Sequence, residues 1–371
     1  MPALTANSAS SPGRASWLRC VASKSNLRDR KNSLRFLPAI RTMKGQISFT
    51  MSDSSKQTSR GVYRFALLTT IFTILLLMAG ALVTNNDAGD SIPTWPLADH
   101  DAIIPPHFVG GIRFEYSHRV VAGIVSLLTL TLAIWITRVD KRRLARRLGW
   151  TAVGLVLAQA LLGGLRVLEG DPVVSATAHA TLAQIFFLTI VGLTVYLSPW
   201  WQENSAQLED HGSPRATALA SATTGVILAQ ILLGAAYRHG ATNIIPHLVG
   251  AAVVTVMVIW TGRVVKKRFK GNRPLRKGVA LLHSFFGIQV LLGFAAWWAM
   301  TRLVDIVQPT DIFVTLTVAH VLGGALLLAS SALLMLLCMH LVIPAHVTAG
   351  SPATSPQAAS AAGGSTGRVG G

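Results

Sequence analysis

The chain has 371 residues, of which 51% are hydrophobic and only 13% charged, and its formal net charge is +18. Soluble domains carry about 25% charged residues, so this composition favours an integral membrane protein. The cations cluster in connections between apolar runs. We therefore predict no nucleic-acid partner, despite the positive charge.

Residues 1–60 form a basic segment that precedes the first apolar run. Its first 42 residues hold eight Lys or Arg and one acid, Asp29, a composition that also matches an organellar transit peptide. Met43 and Met51 offer later starts. We favour a disordered tail, because it requires no organelle.

Eight apolar runs follow, each about the 20 residues that a membrane-spanning helix needs. They cover residues 63–84, 116–137, 149–168, 175–197, 216–237, 244–262, 278–299 and 313–337. The sequence therefore predicts an all-α integral membrane protein with eight transmembrane helices. An even number of helices places both termini on one side.

Basic residues in alternate connections predict the orientation. The second and sixth connections hold Arg138, Lys141, Arg142, Arg143, Arg146 and Arg147, and Arg263, Lys266, Lys267, Arg268, Lys270, Arg273, Arg276 and Lys277. We predict that these connections and both termini are cytoplasmic. In the fourth connection the acidic residues outnumber the single cation, Arg215. Its side of the membrane is therefore predicted only from the number of helices that precede it.

Every second apolar run carries a histidine near its predicted outer end. These residues are His118, His179, His247 and His320. Ionisable groups inside a membrane are costly, which makes them functional candidates. One such histidine is more often a hydrogen-bonded core residue, but four at matching depth favour ligation of haem iron. We assign His283 and the histidines of loops and ends a structural role.

A weak repeat relates the hairpins that hold these histidines. A Gln-x-Leu-Leu-Gly motif recurs at 159–163, 230–234 and 289–293, and each copy precedes a histidine-bearing run. The first predicted hairpin lacks the glutamine of this motif and keeps only its glycine, Gly80. We predict two pseudo-symmetric four-helix bundles, residues 61–200 and 201–343, followed by a disordered tail at 344–371. His118 and His179 would serve one bundle, and His247 and His320 the other.

Glu115 precedes His118 by three residues, so the two side chains share a helix face. The carboxylate is the best candidate for an acid, a base or a cation-stabilising group. Alternatively, it favours the helix N-terminus or orients the histidine. Arg119, Arg166 and Arg238 lie near predicted outer helix ends, where they would either contact haem propionates or snorkel to the interface.

Two cysteines, Cys20 and Cys338, make neither a disulfide framework nor a thiolate metal site. There is no Cys-x-x-Cys-His motif, so any haem must be held noncovalently. The chain has no nucleotide-binding signature either, and its electrons must come from a donor that the sequence does not identify.

The run Glu115–Arg119, the segment Gly-Asp-Ser-Ile-Pro-Thr-Trp-Pro-Leu at 89–97 and the histidines in alternate runs together resemble the haem A synthase family. The resemblance covers about residues 63–340. The first outer loop has no cysteine, as in the cysteine-free members, and Thr94 stands where an aspartate is usual.

The resemblance implies that the C8 methyl of haem O is oxidised to the formyl group of haem A. It implies haem b at His247 and His320, substrate haem O at His118 and His179, and an essential Glu115. It further implies a haem O synthase (a farnesyltransferase) as supplier, a cytochrome oxidase as recipient, and a location in the bacterial inner membrane rather than the mitochondrial one. A homo-oligomer is compatible with it.

Two other functions use the same features. A di-haem b electron-transfer subunit linked to quinol would need the four histidines but not Glu115. A transporter or assembly scaffold would explain the helices and repeats, but it would give the histidines no task.

Overall fold

The computed structural model describes residues 60–96, 98, 104–105, 107–170, 172–204, 208–303, 309–345 and 370. These belong to one unit of the chain, Ser52–Gly371. The predictions for the basic segment before residue 60, and for nearly all of the C-terminal tail, lie outside the described residues.

Eight helices in this part are long and apolar enough to cross a membrane. They are α1 (Arg60–Asn85), α2 (Gly111–Val139), α3 (Arg143–Leu168), α4 (Val173–Leu197), α6 (Ala216–Arg238), α7 (Ile245–Arg268), α8 (Arg273–Arg302) and α9 (Asp311–Leu341). Each corresponds to one predicted run. The predicted all-α multi-pass membrane protein is therefore confirmed.

Local signals fix several helix ends. Asn272 and Thr310 cap α8 and α9 by accepting hydrogen bonds from the backbone N–H groups of Leu275 and Phe313. Pro246 and Pro274 lie in the first turns of α7 and α8, where their missing N–H groups cost no helical hydrogen bond.

Small elements at the end of the bundle opposite the four histidines escaped prediction. A short helix, α5 (Pro199–Glu203), follows α4. Two short strands, β1 (Leu208–Asp210) and β2 (Val342–Pro344), pair in parallel and join the connection before α6 to the segment after α9. We call this end the basic end, because both basic connections lie there.

Sequential helices pack as antiparallel hairpins: α1 with α2, α3 with α4, α6 with α7, and α8 with α9. Contacts of α1 with α4 and of α6 with α9 close two groups of four helices, and α1, α4, α6 and α9 also contact across the groups. Two buried clusters lie among α1–α4, and a third, larger one lies mainly among α6–α9. The domain boundaries remain a prediction.

Buried or half-buried hydroxyl pairs join the helices that close each group. Thr70 on α1 lies 2.8 Å from Thr194 on α4, and Thr224 on α6 lies 2.9 Å from Ser331 on α9, measured between side-chain oxygens. Thr70 precedes Gly80 by the same interval as Thr224 precedes Gly234. Because such bonds satisfy polar groups inside the bundle, they fix how neighbouring helices meet.

Candidate functional site

Each of the four histidine rings packs against a glycine on the preceding helix. A Cβ built on Gly80 would lie 3.2 Å from His118 Cε1, and one on Gly234 would lie 3.0 Å from His247 Cε1. The same holds for Gly163 with His179 (3.1 Å) and Gly293 with His320 (3.2 Å). All these distances are shorter than ordinary van der Waals contact. The glycines of the repeat are therefore the surfaces on which the imidazoles rest, a role that the sequence did not reveal.

The repeat glutamines contact the histidines from one turn below those glycines. Gln159 Nε2 donates to the backbone oxygen of His179 at 2.9 Å, and Gln230 Nε2 does the same to His247 at 2.8 Å. Gln289 Nε2 lies 3.2 Å from His320 Nδ1. In α1 this place is occupied by Leu76, which has no amide to offer.

His247 and His320 face each other across the second group of helices. Their ring centroids are 6.4 Å apart, with an angle of 81° between the planes. A metal–imidazole bond is about 2 Å long, so two rings bound to one metal from opposite sides would have centroids roughly 6 Å apart. The structure thus brings together the pair predicted for the second bundle at a spacing that suits one iron.

His118 and His179 form the corresponding pair in the first group. They are close enough to interact electrostatically with each other, and both interact with Arg166. Their Nδ1 atoms are buried and make no side-chain hydrogen bond with the described residues, although the rings interact with the backbone of Leu76 and of Gln159, one turn before their glycines. In the second pair, by contrast, a glutamine amide lies at the Nδ1 atom of each ring.

These four residues fit haem. The donor set is two pairs of imidazoles, which is a normal noncovalent ligation for haem iron. Glycine opposite each ring lets the imidazole lie directly against the preceding helix, and this packing fixes the position of the ring for ligation. Within the described residues no group of three or more His, Cys, Asp or Glu could hold a metal ion. A multi-ligand metal centre of protein side chains alone is therefore not present in that part.

Glu115 is buried, with 4% of its surface exposed, and is held by α2 and the preceding loop. Its Oε2 accepts a hydrogen bond from the backbone N–H of Ile92 at 2.8 Å, and its Oε1 accepts one from Arg119 at 2.5 Å. Arg119 also donates to the backbone oxygens of Thr94 (2.7 Å) and Ile92 (3.0 Å). Both residues of the Glu-x-x-His-Arg run thus fasten the loop to α2.

The fastened loop closes over this end of the bundle. Ile92 is almost wholly buried, and a Cβ on Gly164 of α3 would collide with the Trp95 ring at 2.6 Å. The Trp-Pro-Leu segment that carried the family resemblance therefore docks through its tryptophan on α3. Leu97 lies outside the described residues.

Arg166 and Arg238, unlike Arg119, line a cavity of about 190 Å³ at the histidine end. Its other lining residues are Thr84, Asp87, Gly89, Val173, Ala176 and His239. Both arginines were predicted near helix ends, but their proximity was not predictable, because they lie on α3 and α6. His239 was assigned a structural role among the histidines of loops and ends.

The remaining helical histidines have structural surroundings. His283 Nδ1 lies 2.8 Å from the backbone oxygen of Val279, and its ring packs against Gly262 of α7. His340 stacks on Trp201, with centroids 4.0 Å apart, and contacts the backbone oxygen of Asn204. Both sit toward the basic end, away from the two pairs.

Comparison with known proteins decides the family. The model of the cytochrome oxidase assembly protein family matches residues 34–191 and 112–246, which together make up more than half of the chain. The chain belongs to this family. The resemblance drawn from Glu115–Arg119 and the alternating histidines is thereby confirmed.

Curated relatives of this family member carry the name haem A synthase. One from Lysinibacillus sphaericus is 33% identical over 141 residues, 38% of this chain and 46% of the relative. One from an Exiguobacterium species is 30% identical over 207 residues (54% and 56%), and one from Symbiobacterium thermophilum is 27% identical over 260 residues (62% and 83%). The matched segment spans a little under half of the first of these relatives.

Proposed function

We propose that this family member is a haem A synthase, which oxidises the C8 methyl of haem O to the formyl group of haem A for a terminal oxidase. The observation that carries the proposal is the fourfold repeat of a histidine packed on a glycine, which makes two pairs of imidazoles. Relatives named haem A synthase support the choice of reaction. Bound haem would supply the redox metal that oxidation of an unactivated methyl requires.

The two pairs are proposed to have different tasks. Gln230 Nε2 donates to the backbone oxygen of His247, and Gln289 Nε2 lies 3.2 Å from His320 Nδ1, so a glutamine amide helps to hold each of these residues in place. That suits a resident haem b. His118 has Leu76 in place of a glutamine on the preceding helix, so the first pair has fewer amide contacts, which suits haem O, a substrate that must enter and leave.

Glu115 is proposed as the carboxylate that stabilises positive charge or accepts a proton during methyl oxidation. It lies on the α2 face of His118, one turn away, and its ion pair with Arg119 holds it in place. Arg119 is then a positioning residue, because its donors go to Glu115 and the loop. Arg166 and Arg238 are left as the candidates for propionate contacts.

The cellular setting is part of the same proposal. A haem O synthase would supply the substrate, a cytochrome oxidase would receive the product, and a separate donor would supply electrons. We place the chain in the bacterial inner membrane, with both termini and the basic end in the cytoplasm, because alternate connections hold the cations.

One observation favours a second function, a di-haem b electron-transfer subunit. Both oxygens of Glu115 make contacts that fasten the loop, so the residue has a structural reason to be there without any chemistry. In that case the four histidines would hold two haems and no methyl would be oxidised.

The first test is analysis of the haems extracted after expression with a haem O synthase in a host that lacks haem A. We expect haem A or its hydroxylated intermediate, detected by chromatography with mass analysis. Haem b with unreacted haem O, in the presence of a competent electron donor, would establish the electron-transfer function instead. A colourless protein would contradict both.

A second test addresses Glu115 itself. In Glu115→Gln the side chain keeps its shape, and an amide oxygen can still accept from Ile92. We expect haem content to stay near that of the parent while haem A formation falls at least tenfold, the lower range for loss of a positioned acid or base. Full activity in Glu115→Gln would remove the residue from the chemistry.

A further inference from the structure

The cavity of about 190 Å³ lies where the two groups of helices meet at the histidine end. Arg166 follows Gly163, on which His179 rests, by one turn of α3. Arg238 follows Gly234, on which His247 rests, by one turn of α6. Each arginine therefore continues the helix surface of a different histidine site, yet both line one cavity.

Arg238 also joins the two groups directly. Its Nη2 donates to the backbone oxygen of Thr84, at the end of α1, at 2.8 Å. Its Nε is buried and has no hydrogen-bond partner among the described residues. Leaving a buried donor of a charged group unsatisfied is costly, so this donor is available to an acceptor beyond the described residues, such as an anion in the cavity.

The charges around the cavity favour an anion. Arg166 and Arg238 contribute two positive charges, and Asp87 contributes one negative charge that interacts with Arg238. The balance is positive even with His239 neutral. A carboxylate is the natural ligand for two guanidinium groups, because their planar donors match its two oxygens.

The size of the cavity limits what can enter. Whole small-molecule sites occupy about 300–1,000 Å³, so a cavity of about 190 Å³ is too small for a porphyrin. It has room for a carboxylate on a short stem together with a few waters, each of which takes about 30 Å³. Only a side group of a larger ligand fits.

We propose that this cavity binds a propionate carboxylate of haem and that Arg166 and Arg238 bind it jointly, so one anion site serves both histidine pairs. The inference rests on the proposed haem-binding function and adds a coupling to it. An arginine on α3 affects haem held by His247 and His320, and an arginine on α6 affects haem held by His118 and His179. Arginines that only extend to the membrane surface would affect haem at neither histidine pair.

The test compares ferric haem b with its dimethyl ester, in which both carboxylates are neutral. Each is titrated into purified full-length protein in detergent. Charge-assisted hydrogen bonds lead us to expect that the parent binds haem roughly 10- to 100-fold more tightly than the ester. In Arg166→Gln and Arg238→Gln this preference falls, and in the double variant it falls no further than in the stronger single one, because both act on one group.

The coupling has its own readout. In a His118→Ala/His179→Ala background only the second pair can hold haem, and its reduction potential is measured by titration. Addition of Arg166→Gln should lower that potential, because removing a nearby positive charge stabilises the oxidised iron. Arg302→Gln, which removes an exposed arginine at the same end of α8, is the matched control and should leave the potential unchanged.

Two results separate this inference from the proposed function. Equal binding of haem and its ester by the parent, or equal effects of Arg302→Gln and the cavity variants, would overturn the inference while leaving haem binding intact. Failure to bind either porphyrin would overturn both. Loss of the preference in all three cavity variants, with haem still bound, supports the shared site.

Discussion

A histidine that rests on glycine is the unit from which the candidate site is built. The histidine and its glycine lie on different helices, and the repeat produces this contact four times. The histidines were predictable, because ionisable groups at matching depth in apolar runs are rare. The glycines were visible in the repeat, but glycine has several uses in membrane helices, so its contact with the ring was not predictable.

Gly234→Ala tests this contact. The added Cβ would lie 3.0 Å from His247 Cε1, so the ring must shift. We expect loss of most haem from the second pair, measured from the absorption spectrum and extracted haem per protein. Gly225→Ala on the same helix is the control, since no atom lies within 4 Å of its Cβ. Equal haem loss in both variants would contradict the role of Gly234.

Glu115→Ala tests the loop contacts at the same scale. It removes the acceptor for Ile92 N–H and the ion pair with Arg119, interactions of about 1.5–3 kcal/mol each for charged groups. We expect residues 88–95 to exchange amide hydrogens at least tenfold faster, measured by mass spectrometry. Glu169→Ala, which removes an exposed acid after α3, should leave that loop unchanged.

Helices are the scale at which the sequence predicted most. All eight membrane spans were located, because a bilayer requires about 20 apolar residues in each. The ends were less accurate. α3 begins at Arg143 and α7 continues to Arg268, since helical hydrogen bonding continues where charged residues lower the hydropathy. α5 and the β1–β2 pair were missed, because segments of three to five residues are too short to show a periodic pattern.

Thr224→Val tests how neighbouring helices are fixed. The hydroxyl of Thr224 lies 2.9 Å from that of Ser331 on α9, and valine keeps the shape but leaves Ser331 without this partner. We expect a loss of about 1 kcal/mol in unfolding free energy, measured by titration with sodium dodecyl sulfate. In Thr255→Val the lost bond is to Ala251 within α7, so no interhelical contact is broken. An effect of Thr224→Val no larger than that of Thr255→Val would argue against the interhelical bond.

At the scale of the whole molecule, the basic end ties the connection before α6 to the end of α9. Asp210 is buried on β1, and its carboxylate accepts from the N–H groups of Gly212 (3.0 Å) and Ala216 (2.7 Å). It also pairs with Arg268 of α7 at 3.0 Å. From the sequence, Asp210 was only one of the acids that outnumber Arg215 in the fourth connection, and its role was not predictable because Arg268 lies far from it along the chain.

Asp210→Ala should therefore loosen this connection. Arg268 is partly exposed, so water compensates for some of the loss, and we expect about 1–3 kcal/mol from the buried backbone donors left unpaired. Detergent unfolding measures the loss of unfolding free energy, and limited proteolysis measures how readily the connection before α6 is cleaved. Glu209→Ala is the control, because Glu209 is exposed and its recorded partner is the exposed His211. A wild-type cleavage rate in Asp210→Ala would show that the strands alone hold the connection.

The two groups of helices touch along α1, α4, α6 and α9, while the chain passes between them once, through α5 and β1. The covalent link between the groups is thus the single connection between α4 and α6, whereas the non-covalent contacts are spread over four helices. Expression of the chain as two fragments, divided in the connection between α4 and α6, would yield two polypeptides, each with its own pair of imidazoles. Such fragments should complement each other when produced together.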